Sequence, residues 1–343
     1  MIRTALFLSL LFAAPHVGAQ QALEAEVSEF NMLRGWSQDD HAAALSVFVQ
    51  TCPDLNSDDW QTLCAIAQHT DDGKAFFEAF FKPVLITDGA DPLFTGYFEP
   101  ELLVSRYRTA DYSFPIYRAP KELPKTGQWL TRQQIQDDNV LSGRGLEIAW
   151  ASDPVDVFFL QIQGSGRLRF TDGDTLRIGY GGSNGHKYRS VGKEMVRRGI
   201  YNEHQVSATV IKNWVRRNPQ DGLDLLNHNP SFVFFREIDV SEHKGPLGAM
   251  NRSLTPLRSV AIDPKFVPLG APVWLDKAGA EPMQRIMIAQ DTGSVIKGAQ
   301  RADIFMGSGP NAGKEAAKIK DTGSIYVLLP IKRALSLLAK DKL

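Results

Sequence analysis

From Pro83 onward the chain is written in short apolar runs broken by Gly, Pro and Asp, such as "SVAIDPKFVPLGAPVWL", "RIMIAQD", "ADIFMG" and "SIYVLLP". Runs of this length with turn residues between them predict strands. Because they do not alternate regularly with helices, a doubly wound parallel sheet is disfavoured. The expected fold is mainly β, made of barrels with helical additions. The segment "DVFFLQIQGSGRLRFTDGDTLRIGY" is the clearest of these. Phe158, Leu160 and Ile162 alternate with Phe159, Gln161 and Gln163, which predicts a strand with both amides on the face opposite Phe158, Leu160 and Ile162. If the apolar side packs inward, both amides face a solvent cleft. Asp172-Gly173 then turns the chain as a hairpin. From Ala22 to about Lys82 the pattern is helical: Ala43, Val47 and Val49, then Trp60, Cys64 and Ala67, then Phe76, Phe77, Phe80 and Phe81 recur at helical spacing. Further helices are expected over Ser190–Arg198, ended by Gly199, and from about Gln205 to Arg217, stopped by Asn218-Pro219. A last one spans Ile331 to Lys340.

The first residues, "MIRTALFLSLLFAAPHVGAQQ", differ from the rest. Arg3 precedes an apolar run, and Val17-Gly18-Ala19 supplies small residues at −3 and −1, so residues 1–19 read as a secretory signal peptide cut after Ala19. No Cys precedes Cys52, which argues against a lipid-modified N-terminus, and no later stretch is apolar enough for a transmembrane segment. Net charge is −1, which provides no electrostatic reason to expect nucleic acid. Cys52 and Cys64 are the only cysteines; an oxidising compartment favours a disulfide between them over two buried free thiols. The seven histidines are scattered without ligand spacing, so neither a metal nor a cofactor is expected.

Three short patterns mislead. "SGPNAGKE" has Ser308 and Glu315 where a phosphate loop needs Gly and Ser/Thr. "GGSNG" would make Ser183 a nucleophile on a sharp strand-to-helix turn, but the helix signal begins only at Ser190 and the setting reads as antiparallel. "NRS" at Asn251 is a glycosylation acceptor only in glycosylating hosts. What remains is carboxylate chemistry. Asp303 directly precedes Ile304-Phe305, and no Arg or Lys adjoins Asp291. Burying a lone carboxylate is costly or raises its pKa. Amides and tyrosines on Gly-bearing segments, in "GYFEP", "QIQGSG" and "SNGHKYRS", suit a hydroxyl-rich ligand.

Together "TGYFEP", "LQIQGSGRLRF", "GGSNGHKYRSVGKEM", "NPSFVFF", "SVAIDPKFVPLG" and "AQDTGSVIKGAQRADIFMGSGP" resemble the membrane-bound lytic transglycosylase A family, from roughly Phe94 to Leu329. The resemblance implies a double-psi β-barrel (residues 20–105 plus 245–343, with N-terminal and C-terminal helices) and a second β-barrel inserted at 106–244. A glycan groove would lie between them. It implies cleavage of the N-acetylmuramic acid to N-acetylglucosamine β-1,4 bond without hydrolysis, leaving 1,6-anhydromuramoyl ends. Asp303 would be catalytic, with Asp291 and Asp263 structural or supporting; a second catalytic role for Asp291 stays open. Thr95, Tyr97, Gln161, Gln163, Ser165, Tyr180, His186, Tyr188 and Lys297 are the expected substrate contacts. The expected partners are peptidoglycan glycan strands, with cell-wall synthesis or division proteins a further option. The expected location is the periplasm, with peripheral outer-membrane association compatible. An inverting glucanase and a non-catalytic wall-binding module are the rival readings.

Overall fold

In the computed structural model, which describes residues 23–239 and 244–340, the strands gather into two sheets. The signal peptide expected over residues 1–19 lies outside the described residues. Glu24–Val27 (β1), Phe81–Thr87 (β2) and Leu93–Glu99 (β3) begin one sheet. Glu101–Ser105 (β4), Phe114–Tyr117 (β5), Glu147–Ala151 (β6), Gly166–Phe170 (β7), Thr175–Ser183 (β8) and Val233–Ile238 (β9) form the second. The chain then returns to the first sheet as Ser259–Ile262 (β10), Pro272–Lys277 (β11), Met283–Thr292 (β12), Arg301–Ser308 (β13), Lys320–Asp321 (β14) and Gly323–Pro330 (β15).

The order across the first sheet is β1-β2-β15-β11-β12-β10-β13-β3-β14, with β10 parallel to β12 and β3 parallel to β13. The second runs β5-β6-β4-β7-β8-β9. Arg118, just past β5, bridges to Phe235 in β9, so this six-stranded sheet curls into a nearly closed barrel. Strand β4 starts only two residues after β3 ends, and it belongs to the second sheet although the expected division leaves it with the first.

Helices His41–Thr51 (α1), Asp58–Ala67 (α2) and Gly73–Phe80 (α3) share the core of the first sheet. Asp40 and Asp72 cap α1 and α3 by accepting from the N–H groups of Ala43 and Ala75, both at 2.9 Å. Cys52 and Cys64 form a disulfide between the end of α1 and α2. Arg132–Asp137 (α4), Pro154–Gln163 (α5), Val191–Arg197 (α6), Ala208–Arg217 (α7) and Pro219–Asn227 (α8) accompany the second sheet. Gly309–Ala316 (α9) lies directly on β3, where a Cβ at Gly96 would stand 2.8 Å from the Ala316 Cα. Ile331–Lys340 (α10) ends the described chain.

Three expectations are corrected. The segment read as a strand with alternating glutamines is helix α5, started by Asp153 capping Val155 N–H at 2.9 Å and stopped by Gly164 in the left-handed region. Its physical reason is two-sided burial. Val157 and Leu160 pack into the barrel core while Val155 and Phe158 pack against α6, α7 and α8, so apolar residues surround the helix and its 3.6-residue period disappears. Second, the helical reading of residues 22–82 misses β1, a short antiparallel edge partner of β2, and β2 itself already starts at Phe81. Third, Asn218-Pro219 ends α7 but also starts α8, since Pro at the first helical position needs no hydrogen-bonded N–H. The Asp172-Gly173 hairpin joins β7 to β8, and α6 starts at Ser190, whose hydroxyl accepts from Lys193 N–H at 3.2 Å.

A buried ion pair joins the sheets. Glu99, at the end of β3, accepts from Arg177 of β8 through both oxygens, at 2.8 and 3.2 Å, and from the Ser308 hydroxyl of β13 at 2.6 Å. The Glu99 side chain is fully buried and that of Arg177 is 4 % exposed. Removing Arg177 takes the bidentate partner from a fully buried carboxylate and leaves it Arg167 at 3.5 Å, a loss on the scale of a broken buried pair, up to about 3–5 kcal/mol, whereas removing the carboxylate charge as well is milder. Arg177→Met should therefore destabilise strongly in chemical unfolding, and adding Glu99→Gln should recover part of the loss. Equal stabilities for the single and double variants would contradict this role.

Candidate functional site

Strands β12, β10, β13 and β3 lie side by side, and their register sets Asp291, Ala261, Asp303 and Thr95 in one row. Residues in register on neighbouring strands project to the same face. Asp291 joins the row through a bulge: Val260 pairs with Ala289, but Ala261 pairs with Asp291, leaving Gln290 as the extra residue. Ala261 keeps the floor between the two carboxyls low. Their Cα atoms stand two strand spacings apart, about 10 Å.

The two aspartates are held differently. Asp291 Oδ1 accepts from the N–H groups of Ala249 and Thr292, both at 2.9 Å, and its Oδ2 accepts from the Tyr97 hydroxyl at 2.8 Å. Asp303 Oδ1 accepts from the Thr95 hydroxyl at 2.6 Å. Among the described residues nothing hydrogen-bonds its Oδ2. Asp263, the third aspartate, is buried apart from the row and accepts from Lys265 N–H and Gly298 N–H, both at 3.1 Å. It ties the loop after β10 to the loop before β13.

A cleft of about 320 Å³ opens over the row, lined by both sheets' segments. Tyr97, Ala261, Asp291, Asp303 and the loop from Thr292 to Ile296 form one side; Arg132, residues Gln161 to Gln163, Tyr188, Asn229, Ser231 and Val233 form the other. Of the expected contacts, Tyr97, Gln161, Gln163 and Tyr188 thus meet Asp303 in one cleft, and Thr95 lies behind it, bonded to Asp303. Tyr97 packs its ring on Phe305, 5.3 Å between centroids, while Phe98 turns away against Gly313 of α9.

Gln161 is not the open amide that a strand would present. It is 6 % exposed, and its Oε1 accepts from Arg132 at 2.5 Å. Gln163 Oε1 accepts from Phe98 N–H at 3.3 Å, linking α5 to β3. Ser165, Tyr180, His186 and Lys297 do not line the cleft. Ser165 follows the α5 stop, Tyr180 is 56 % exposed on β8, and the His186 ring pairs with the Trp129 carbonyl at 2.8 Å. Lys297 points out near Asp263, 4.0 Å away. Ser183 ends β8, well before α6, so no strand-to-helix elbow exists there.

Arg132 escaped the sequence reading. It is buried among carbonyls and rings: Nε donates to the Asn229 carbonyl at 3.1 Å, Nη2 to the Ser231 carbonyl at 2.6 Å, and Phe158 and Phe232 flank it. Burial pulls its pKa down to about 9. It braces the "NPSF" turn that forms part of the cleft wall. Only the capping Thr131 before it signalled structure there.

Burial is the largest influence on both cleft carboxyls and raises both pKa values. For Asp303 the Thr95 bond and the Arg301 charge oppose the rise, and the Asp291 charge adds to it. For Asp291 the three donors oppose it. Burial and the Asp291 charge push the Tyr97 hydroxyl well above its usual range, which keeps it a donor. Among the described residues no group of three His, Cys, Asp or Glu side chains could hold a metal ion. The arrangement therefore offers one carboxyl with a free oxygen and one saturated with donors. Asp291→Ala removes three acceptor contacts and should lower melting temperature and activity together. Asp291→Asn retains an acceptor for the two N–H groups and should do less of both. An Asn variant as stable as the parent yet inactive would instead assign Asp291 a direct part in the chemistry.

Residues 93–236 match the MltA specific insert domain, and residues 258–329 match the 3D domain. The membrane-bound lytic murein transglycosylase A of Vibrio cholerae is 35 % identical over 247 residues, covering 69 % of this chain and 65 % of that one. The chain thus spans just under two thirds of that relative's length. The crystal structure of MltA from Neisseria gonorrhoeae superposes with a TM-score of 0.77 at 34 % identity, covering 90 % of this chain and 93 % of that one. That of E. coli MltA with bound chitohexaose has a TM-score of 0.70 at 27 % identity and covers 85 % and 90 %. Among the described residues no helix is long and apolar enough to cross a membrane. Sequence, domain order and fold agree: the chain belongs to the membrane-bound lytic murein transglycosylase A family.

Proposed function

We propose that this protein is a periplasmic lytic transglycosylase that cleaves the β-1,4 bond between N-acetylmuramic acid and N-acetylglucosamine in peptidoglycan. One observation carries the reading. Among the described residues nothing hydrogen-bonds one carboxyl oxygen of Asp303, which stands at the wall of a cleft that both sheets line. A general acid needs a proton near neutral pH and an unobstructed oxygen from which to deliver it. Burial favours the proton; the free Oδ2 provides the oxygen.

In this mechanism Asp303 protonates the glycosidic oxygen as its bond to C1 breaks. The resulting carboxylate takes the proton of the muramoyl C6 hydroxyl, whose oxygen closes on C1. One proton enters and one returns, no water is consumed, and the ring keeps a 1,6-anhydro bridge. Because the nucleophile belongs to the substrate, one carboxyl serves on both sides of the step. A hydrolytic glycosidase ordinarily requires two. Asp291, committed to three donors, orients Tyr97, the end of β12 and the segment at Ala249 before β10. The chitohexaose complex of the related E. coli protein supports a glycan as the occupant of the cleft.

The family membership also supports a double-psi barrel for the first sheet and an inserted second body. We place its near limit at Pro100, between β3 and β4, and its return before β10. The reading extends to peptidoglycan strands as the partner and to export through the leader at residues 1–19.

The test is digestion of purified sacculi with mass analysis of the products. Anhydromuramoyl ends, lighter by one water, are expected; free reducing ends would support a glucanase-like hydrolysis, and absence of soluble products a binding module. Asp303→Asn should lower turnover about 10²–10⁴-fold; retention of more than about a tenth of activity would sink the assignment. The variant should also melt no lower than the parent at neutral pH. A carboxyl whose pKa is higher folded than unfolded contributes stability that is full below the unfolded pKa. That contribution is lost as pH rises through the folded value, a loss an amide does not share.

A further inference from the structure

Arg301 stands two residues before Asp303 on β13, on the same face, and is half-buried. Among the described residues its guanidinium is bonded to neutral oxygens: Nη1 donates to the carbonyls of Leu93 and Ala302, and Nη2 to the Thr95 hydroxyl oxygen at 2.8 Å. Thr95 in turn bonds Asp303 Oδ1 at 2.6 Å. The parallel register that pairs Thr95 with Asp303 and Leu93 with Arg301 aligns all three side chains along one seam.

Donor chemistry sets the direction of the first link in this chain, and polarisation favours that of the second. A guanidinium has donors only, so at Thr95 the oxygen must accept from it. The single hydroxyl proton is left to point at Asp303. A hydroxyl that accepts from a cation is polarised into a stronger donor and a weaker acceptor. We infer that Arg301 and Thr95 form a positioning relay that commits Asp303 Oδ1 to accepting and so reserves the transferable proton for Oδ2, the unbonded oxygen. Without it the proton can sit on Oδ1, donating to Thr95 and facing away from any substrate. The same Thr95 bond stabilises the carboxylate once the proton has left. The inference rests on Asp303 being the acid, and it assigns Arg301 an effect exerted through Thr95 rather than by contact with the glycan.

The experiment compares Thr95→Val, Thr95→Ser, Arg301→Met and the Thr95→Val/Arg301→Met double variant on purified sacculi, with melting curves for each. A relay predicts that Thr95→Val lowers kcat about ten- to hundredfold, the scale of a misplaced reacting group, with KM little changed. It also predicts that Thr95→Ser restores kcat relative to Thr95→Val. The alkaline limb of the pH profile should move to higher pH in both Thr95→Val and Arg301→Met, because each loses a group that favours the ionised carboxyl. The double variant should be no worse than Thr95→Val, since the second change acts on a link already cut. Additive losses, an unmoved alkaline limb, or a rise confined to KM would overturn the relay. If Thr95→Val does not fold, Arg301→Met decides alone by the same kcat and pH criteria. Turnover by Asp303→Asn would overturn the acid assignment itself, whereas an inactive Asp303→Asn beside a fully active Thr95→Val overturns only the relay.

Discussion

Parallel pairing of β3 with β13 joins segments of the chain about two hundred residues apart, and the cleft depends on it. The pairing puts Thr95 beside Asp303 and runs on to Glu99 beside Ser308. Because β4 follows β3 after one residue, the same strand that completes the first sheet also fixes where the second begins. A parallel pair cannot be closed by a tight turn and needs a long connection. Here the entire second sheet and its helices occupy that connection. The wall opposite the carboxyls is therefore a consequence of topology, and the Glu99–Arg177 pair holds it at a set distance.

Three aspartates sit in three environments, and hydrogen-bond supply separates them better than burial does. Asp263 is buried, while Asp291 and Asp303 are both half-buried, so burial does not tell the last two apart. Asp263 spends its oxygens on two loop amides, and Asp291 on two amides and a phenol. Asp303 has one hydroxyl partner and an oxygen to spare. Satisfied acceptors stabilise a structure, while an unsatisfied one at a cleft wall is available to a ligand.

Much of this was legible in sequence, for reasons of local chemistry. Asp172-Gly173 specifies a hairpin by its own turn chemistry, with Gly173 at positive φ, and Ser190 specifies a helix start. The motif order around Asp263, Asp291 and Asp303 carried the family. Helix α5 was not legible, because burial on two sides gives it an alternating pattern that only tertiary contacts explain. The same error misdirected Gln161, whose amide faces a buried arginine rather than open solvent. Tyr180, His186 and Ser165 are polar residues on Gly-bearing segments like those in the cleft, and nothing local distinguishes them. Arg132 was invisible for the opposite reason: besides Gln161, its hydrogen-bond partners are main-chain carbonyls, which leave no trace in residue identity.

The extra residue in β12 makes the site a matter of odd and even. Side chains on a strand alternate between faces, so the parity of the count from Ile288 to the end of β12 decides which of them look into the cleft. Gln290 changes that parity once, turning itself into the core beside the Ser259 hydroxyl and Asp291 outward to Tyr97. Shortening this strand by one residue would leave every apolar position before it in place and exchange the two ends of a single polar pair. Alignments of distant relatives that slide a gap through this strand would then mistake a buried amide for the carboxylate beside the cleft.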